Sequence, residues 1–231
     1  MRNLFVGIVF SVVLLVGCKS AQKTQGEEKT GMNKTEKGAV IGASSGAVIG
    51  GVIGNKSKNT ALGAILGATV GGAIGAVIGN RMDQQAKKME EELGETVTVE
   101  RVGEGIKLTF NSQLLFDFGK ANLRESNKID LQKFAETLND NPETDLLIVG
   151  HTDSVGSKSF NQKLSEDRAA AVSNYLVTQG ISSTRLRIQG DGENQPIVSN
   201  NTEENRSLNR RVEIAIYANE KMKSEAKEGM N

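Results

Sequence analysis

Glycine recurs every fourth residue at Gly38, Gly42, Gly46, Gly50 and Gly54, and again at Gly63, Gly67, Gly71, Gly75 and Gly79, with Ala, Val, Ile and Leu between. The second block repeats the first down to the Val-Ile-Gly-Asn endings at Asn55 and Asn80, which marks an internal duplication. A spacing of four lines the glycines along one helical face and opens a groove where another backbone can approach closely. In water such a helix is poor, because each glycine costs roughly 1 kcal/mol relative to alanine. Close packing or lipid must compensate. The pattern therefore predicts a helical hairpin over residues 38–80, turning at Lys56-Ser57-Lys58-Asn59-Thr60. Each block, at ~17 residues and 1.5 Å per residue, is about 25 Å long and barely reaches across a bilayer core. Insertion into lipid and packing with neighbours, a homo-oligomer included, are both compatible with it.

Upstream, Met1-Arg2-Asn3 is a short positive segment, and Leu4 to Val16 is an apolar stretch broken only by Gly7 and Ser11. That run is too short for an ordinary membrane span and reads as a signal peptide over residues 1–17. Leu15-Val16-Gly17-Cys18 resembles a bacterial lipobox, which implies that Cys18 becomes the first mature residue and is acylated. Cys18 is the only cysteine, so no internal disulfide can form. Buried acyl carbons contribute about 0.8 kcal/mol per CH₂, and several chains make a nearly permanent anchor in the lipid bilayer. Lys19 follows, not the aspartate that in enterobacteria retains lipoproteins at the inner membrane, so the outer membrane is the expected address. With its run of Lys, Glu, Thr and Gln, the stretch 18–37 reads as the lipidated cysteine and a flexible tether.

Residues 81–95 keep Met82, Ala86, Met89 and Leu93 at helical spacing and predict a stalk that extends the second glycine helix, with Gly94 ending it. Thr96–Val102 and Ile106–Phe110 alternate with period two around Gly103-Glu104-Gly105 and predict a hairpin. Further elements follow: strand Leu114–Phe118, helix Arg124–Leu138, strand Leu146–Val149, helix Phe160–Gln179, and strands Arg185–Gln189 and Arg211–Tyr217. Helices alternating with strands imply crossovers and helices packed on a sheet. Residues 96–218 are thus a domain with its own core, and 219–231 read as a frayed, disordered tail.

The chemistry concentrates after Leu146-Leu147-Ile148-Val149, an apolar run of the kind a strand shows when both faces are buried. Asp153 sits in the loop past that strand. On the next helix Arg168 falls inside the apolar arc between Leu164 and Val172, so it faces the protein body. A guanidinium there keeps its proton and needs a carboxylate, from the protein or from a ligand. On these residues alone, an internal ion pair and a ligand clamp are both open. Asn161 fits a polar residue at a helix start or a ligand contact. His151 is the only histidine, and one imidazole beside one aspartate lacks the ligands of a zinc site. No serine is placed to be activated by it, so no catalysis is read here.

Between about Gly103 and Ala218 the chain carries Leu115-Phe116-Asp117-Phe118-Gly119-Lys120, His151-Thr152-Asp153, Phe160-Asn161, Leu164-Ser165-Glu166-Asp167-Arg168-Ala169, Gly190-Asp191-Gly192-Glu193 and Asn209-Arg210-Arg211-Val212-Glu213-Ile214. On these residues the segment closely resembles the OmpA-like domain, the peptidoglycan-binding module of outer-membrane proteins, peptidoglycan-associated lipoproteins and flagellar stator subunits. The resemblance implies an α/β (α+β) sandwich of βαβαββ form, with helices on a mixed sheet. It also implies that Asp153 takes the ammonium and Arg168 the carboxylate of diaminopimelate in the peptidoglycan stem peptide, with Thr152 and Asn161 in the same site. Gly119 stands where many relatives carry Asn or Asp, so no side-chain contact is carried to it. Residues 38–80 resemble glycine-zipper domains.

Formal charge is zero, tryptophan is absent and aromatics are few, so no basic stripe or stacking platform for nucleic acid is present. The glycines keep a zipper period and form no phosphate loop. No metal or other cofactor is called for. The lipobox and OmpA-like resemblances imply an outer-membrane lipoprotein, not an enzyme, that tethers the envelope to the wall with its carboxy-terminal domain in the periplasm. The alternative is a membrane-inserting or oligomerising zipper protein that its wall domain only positions.

Overall fold

The computed structural model describes residues 59–229. The expectations for the signal peptide, Cys18, the tether and the first glycine block lie outside those residues. Five strands form one sheet: β1 Val97–Val102, β2 Gly105–Asn111, β3 Thr144–His151, β4 Leu186–Gly192 and β5 Arg211–Ala218, in the order β1-β2-β5-β3-β4. Among the described residues the helices are α1 Thr60–Gly67, α2 Gly72–Leu93, the single turn α3 Ser112–Leu115, α4 Lys128–Asn139, α5 Lys158–Thr178, α6 Glu203–Asn209 and α7 Glu220–Glu228. Only β3 and β4 are parallel neighbours, and α5 is the crossover that such a pair requires. The class is the expected one, helices on a mixed sheet.

Alternation sends Leu146 and Ile148 of β3, with Val212, Ile214 and Ile216 of β5, to the face covered by α2, α4 and α5. Val149 and Ala215 point to the other face, where Ala61 and Ile65 of α1 cover them. Both faces of β3 are therefore covered, which is why its sequence is an unbroken apolar run.

The second glycine block departs from the predicted single helix. It breaks between α1 and α2, where Gly71 and Gly72 adopt φ of 77° and 63°, a conformation that side-chain-bearing residues rarely reach. Glu104, in the β1–β2 turn, holds the break by accepting from the backbone N–H groups of Val70 at 2.8 Å and Gly71 at 2.7 Å. A Cβ on Gly75 would lie 1.9 Å from that carboxylate, so this glycine makes room for an acid and not for a second helix. Sequence spacing alone cannot tell those two tenants apart.

Residues 81–95 form no separate stalk. Their stripe Met82, Ala86, Met89 and Leu93 is buried in the main core, where full burial of each large side chain contributes roughly 1.5–3 kcal/mol. Gly94 does end α2, at φ 62°. The predicted tail is also ordered over α7. Asn219 caps it through Oδ1 and the Met222 N–H at 3.1 Å, and Met222 and Ala226 are buried in the same core as α2. The predicted strand Leu114–Phe118 is instead α3 followed by one bridge, Phe116 to Leu123. Leu115 and Phe116 are consecutive and both buried, which an alternating strand at a half-exposed edge does not allow. No helix among the described residues is long and apolar enough to cross a membrane.

Candidate functional site

The parallel pairing of β3 with β4 shifts register between Gly150 and His151, and the chain leaves the sheet with Thr152 N–H donating to the Gly192 carbonyl at 2.9 Å. A Cβ on Gly150 would lie 2.0 Å from the Ser165 carbonyl oxygen, so only glycine lets α5 lie this close to the strand end. That contact sets α5 beside the loop and brings Asn161 and Arg168 to it. Ser157 starts the helix by accepting from the Phe160 N–H at 3.2 Å.

Asp153 is nearly buried and its carboxylate is fixed. Oδ1 accepts from the Val155 N–H at 2.9 Å, and Oδ2 accepts from Arg210 Nη1 at 2.5 Å. Arg210 continues to Glu203 Oε1 at 2.6 Å. An ionised carboxylate has about four lone-pair sites, so these two bonds leave capacity for a further donor. Thr152 turns its hydroxyl onto the Asp153 carbonyl at 2.9 Å. Asn161 gives its amide nitrogen to the same carbonyl at 3.2 Å and to Glu193 Oε2 at 2.6 Å. Both side chains hold the loop in place.

Arg168 is 3% exposed. Its Nε donates to the Lys120 carbonyl at 3.0 Å and its guanidinium carbon lies 5.2 Å from the centre of the Phe116 ring. Among the described residues it makes no ion pair. Burial, and next the Arg210 charge, push its pKa down to about 10, while Asp153 pulls the other way. It stays protonated at neutral pH. Asp153, Arg168, Arg210, Thr152 and Asn161 all line one cavity of about 600 Å³. The cavity wall is also incompletely bonded, since Ser112 Oγ and Arg210 Nε, both buried, have no hydrogen-bond partner among the described residues.

The sequence placed Asp153, Arg168, Thr152 and Asn161 together, and the structure unites them in this cavity. It did not single out Arg210, Phe116 or Glu203. The signs for Arg210 were its place in the Asn209-Arg210-Arg211 segment of the OmpA-like resemblance and the doublet itself at a strand start, where alternation separates two neighbouring charges. His151 lies outside the cavity wall. It is buried, neither ring nitrogen has a hydrogen-bond partner among the described residues, and Glu213 Oε2 is 3.9 Å away. Desolvation, followed by the Arg211 charge, pushes its pKa down to about 4. No cluster able to hold a metal ion occurs among the described residues.

Known proteins resemble this chain in sequence and fold. Residues 115–210 match the OmpA family and residues 1–83 the YMGG-like Gly-zipper. Escherichia coli YiaD, named "Probable lipoprotein YiaD", is 36% identical over 92% of this chain and 96% of its own length. The chain belongs to the OmpA family. Outer membrane protein A of Bordetella avium is 42% identical over 50% of this chain and 59% of its own length. The cell wall anchor of the T6SS from Pseudomonas aeruginosa is 28% identical, with a TM-score of 0.53 over 58% of this chain and 96% of that one. A MotB-like protein from Desulfovibrio vulgaris shares the fold, with a TM-score of 0.58 over 63% of this chain and 96% of that one at 24% identity.

Proposed function

We propose that this lipoprotein binds peptidoglycan noncovalently and tethers the outer membrane to the wall, with Arg168 gripping the carboxylate and Asp153 the ammonium at the free end of diaminopimelate. The observation that carries this reading is Arg168. A buried guanidinium without a carboxylate is expensive to maintain, and it faces a cavity into which a ligand can bring one. Asp153 sits in the same cavity, oriented by Arg210 and the Val155 N–H, with lone pairs to spare. Thr152 and Asn161 act on the ligand through the loop they hold. An acylated Cys18 provides the membrane end of the tether, and the OmpA-family domain works from the periplasm.

Cosedimentation of the full chain with purified peptidoglycan tests it. Asp153→Ala and Arg168→Ala should each weaken binding at least tenfold, since truncating one side of a buried charged contact costs about 2–5 kcal/mol. Arg168→Lys should fail too, because a point ammonium lacks the planar fork. Amidating the diaminopimelate carboxylate should mimic the arginine loss. Unchanged cosedimentation by two folded alanine variants would move the binding site elsewhere.

A further inference from the structure

The cavity is larger than one zwitterion needs, and its mouth has a different chemistry from its floor. Of the five phenylalanines among the described residues, Phe110, Phe116 and Phe134 are buried, while Phe118 is 84% and Phe160 51% exposed. Both exposed rings line this cavity, as does Val155 at 56% exposure. Exposed apolar side chains scattered singly need no explanation, but three gathered at one opening mark a contact surface. Each is held by the site's own construction. Phe118 precedes the positive-φ turn at Gly119, Val155 donates its N–H to Asp153, and Phe160 N–H is bonded to the Ser157 cap. The Asp117–Arg124 ion pair, at 2.9 Å, supplies polar groups on the same lining.

What an anchored ligand presents at that height follows from its covalent chemistry. Beyond a zwitterion seated between Asp153 and Arg168 come the methylene spacer of diaminopimelate and then the peptide backbone with its neighbouring alanine methyl. The sugar lies farther along the peptide. We propose that Phe118, Phe160 and Val155 form an apolar collar that reads the peptide next to the zwitterion and makes the site select stem peptide over free diaminopimelate. This rests on the reading that Asp153 and Arg168 hold the zwitterion. The collar contributes by removing apolar surface from water, and the charged floor sets the register.

The test is calorimetric titration of the full chain, wild type and Phe118→Ala/Phe160→Ala, with free diaminopimelate, a sugar-free stem tetrapeptide and the same peptide linked to its disaccharide. Both rings are solvent-exposed, so the double variant leaves no core cavity and should melt like wild type. Wild type should bind the tetrapeptide roughly tenfold more tightly than diaminopimelate, from partial burial of two rings. The double variant should lose that advantage and keep its affinity for diaminopimelate. Equal loss for diaminopimelate and tetrapeptide, or no loss for either, overturns the collar. A loss confined to the disaccharide-linked peptide overturns it as well, because the rings would then meet sugar. Failure of the wild type to bind diaminopimelate at all overturns the zwitterion reading and the collar with it.

Discussion

Arg210 and Arg211 are adjacent, similarly buried and sent to opposite surroundings. Arg211 lies on the α1-covered face of the sheet and every nitrogen of its guanidinium is used: Nε to Glu213 Oε1 at 2.7 Å, Nη1 to the Asn209 carbonyl at 3.2 Å and Nη2 to the Gln195 carbonyl at 3.1 Å. Asn59 bonds the other Glu213 oxygen at 2.7 Å, and Thr60 bonds Asp191 at 2.6 Å, so the first turn of α1 closes the network. Arg210 reaches the cavity, where its own Nε, Ser112 Oγ and the Arg168 guanidinium are left incompletely bonded. Arg185 repeats the closed pattern, giving its nitrogens to the carbonyls of Thr144, Leu138 and Asn141. Burial alone therefore does not mark function. The proposed function rests on that difference: Arg211 and Arg185 have their bonds completed by the protein, whereas Arg168 lies beside a cavity with its bonds unfinished.

The largest expected effect breaks the closed side. Arg211→Ala leaves the buried Glu213 carboxylate without its arginine and with only the Asn59 hydrogen bond, and breaking a buried ion pair in this way costs about 3–5 kcal/mol. Chemical denaturation should show that drop, while the protein that remains folded still binds peptidoglycan. Arg168→Leu should do the reverse. It removes a charge without a carboxylate partner, so stability should hold or rise, yet binding should fall at least tenfold. If the two variants lose stability equally, the distinction between closed and open networks is wrong.

A third prediction uses His151, whose two ring nitrogens are unpartnered on the closed side. Its pKa is pushed down to about 4 by desolvation, then by Arg211. The unfolded chain takes up this proton near the ordinary value of about 6.5, so between there and about pH 4 it binds more protons than the folded one. The stability is fully present above the unfolded value and is lost as pH falls through that window. The loss amounts to roughly 3 kcal/mol at about 1.4 kcal/mol per pH unit. His151→Phe keeps the ring, sacrifices no hydrogen bond and should flatten the part of the pH–stability curve that wild type shows there. Denaturant melts at pH 7 and pH 5 decide it, and a wild-type curve without that slope refutes the buried neutral imidazole.

Local patterns were readable in the sequence where one element decides them. Arg168 inside an apolar arc needs only the helical period, and Leu146 to Val149 needs only its lack of alternation. What escaped depends on partners distant in the chain. Arg210 meets Asp153 across 57 residues, and Glu104 meets Gly71 across 33. Periodicity also misled where the same spacing serves two purposes. A glycine every fourth residue suits a helix groove, but here it supplies a break and a seat for a carboxylate. The helical repeat in residues 81–95 was right about α2 and silent about its burial against α7, because burial is settled by what else packs there.

The smallest expected effect tests how the closed side is kept closed. Glu104 holds the link between α1 and α2 through two backbone N–H groups, hydrogen bonds of the kind that each contribute about 0.5–1.5 kcal/mol. Glu104→Ala should cost about that much globally, but its local consequence should be larger than the number suggests. With the break between α1 and α2 released, α1 retains Ala61, Ala64 and Ile65 on the sheet and the bonds of Asn59 and Thr60 at its first turn, while the link after its last turn loses its tie to the β1–β2 turn. Amide hydrogen exchange should accelerate over Thr60–Gly67 and not over α5. His151 reports the same event, because it is the only histidine and gives a single imidazole signal in NMR. Water admitted beneath a loosened α1 relieves its desolvation, so its pKa should rise from about 4 toward the ordinary value in this variant. Peptidoglycan binding should be unchanged, since the cavity draws nothing from α1. A variant in which α1 exchanges as slowly as in wild type would show that the sheet contacts alone fix it, and the Glu104 bonds to the link would then be incidental to the fold.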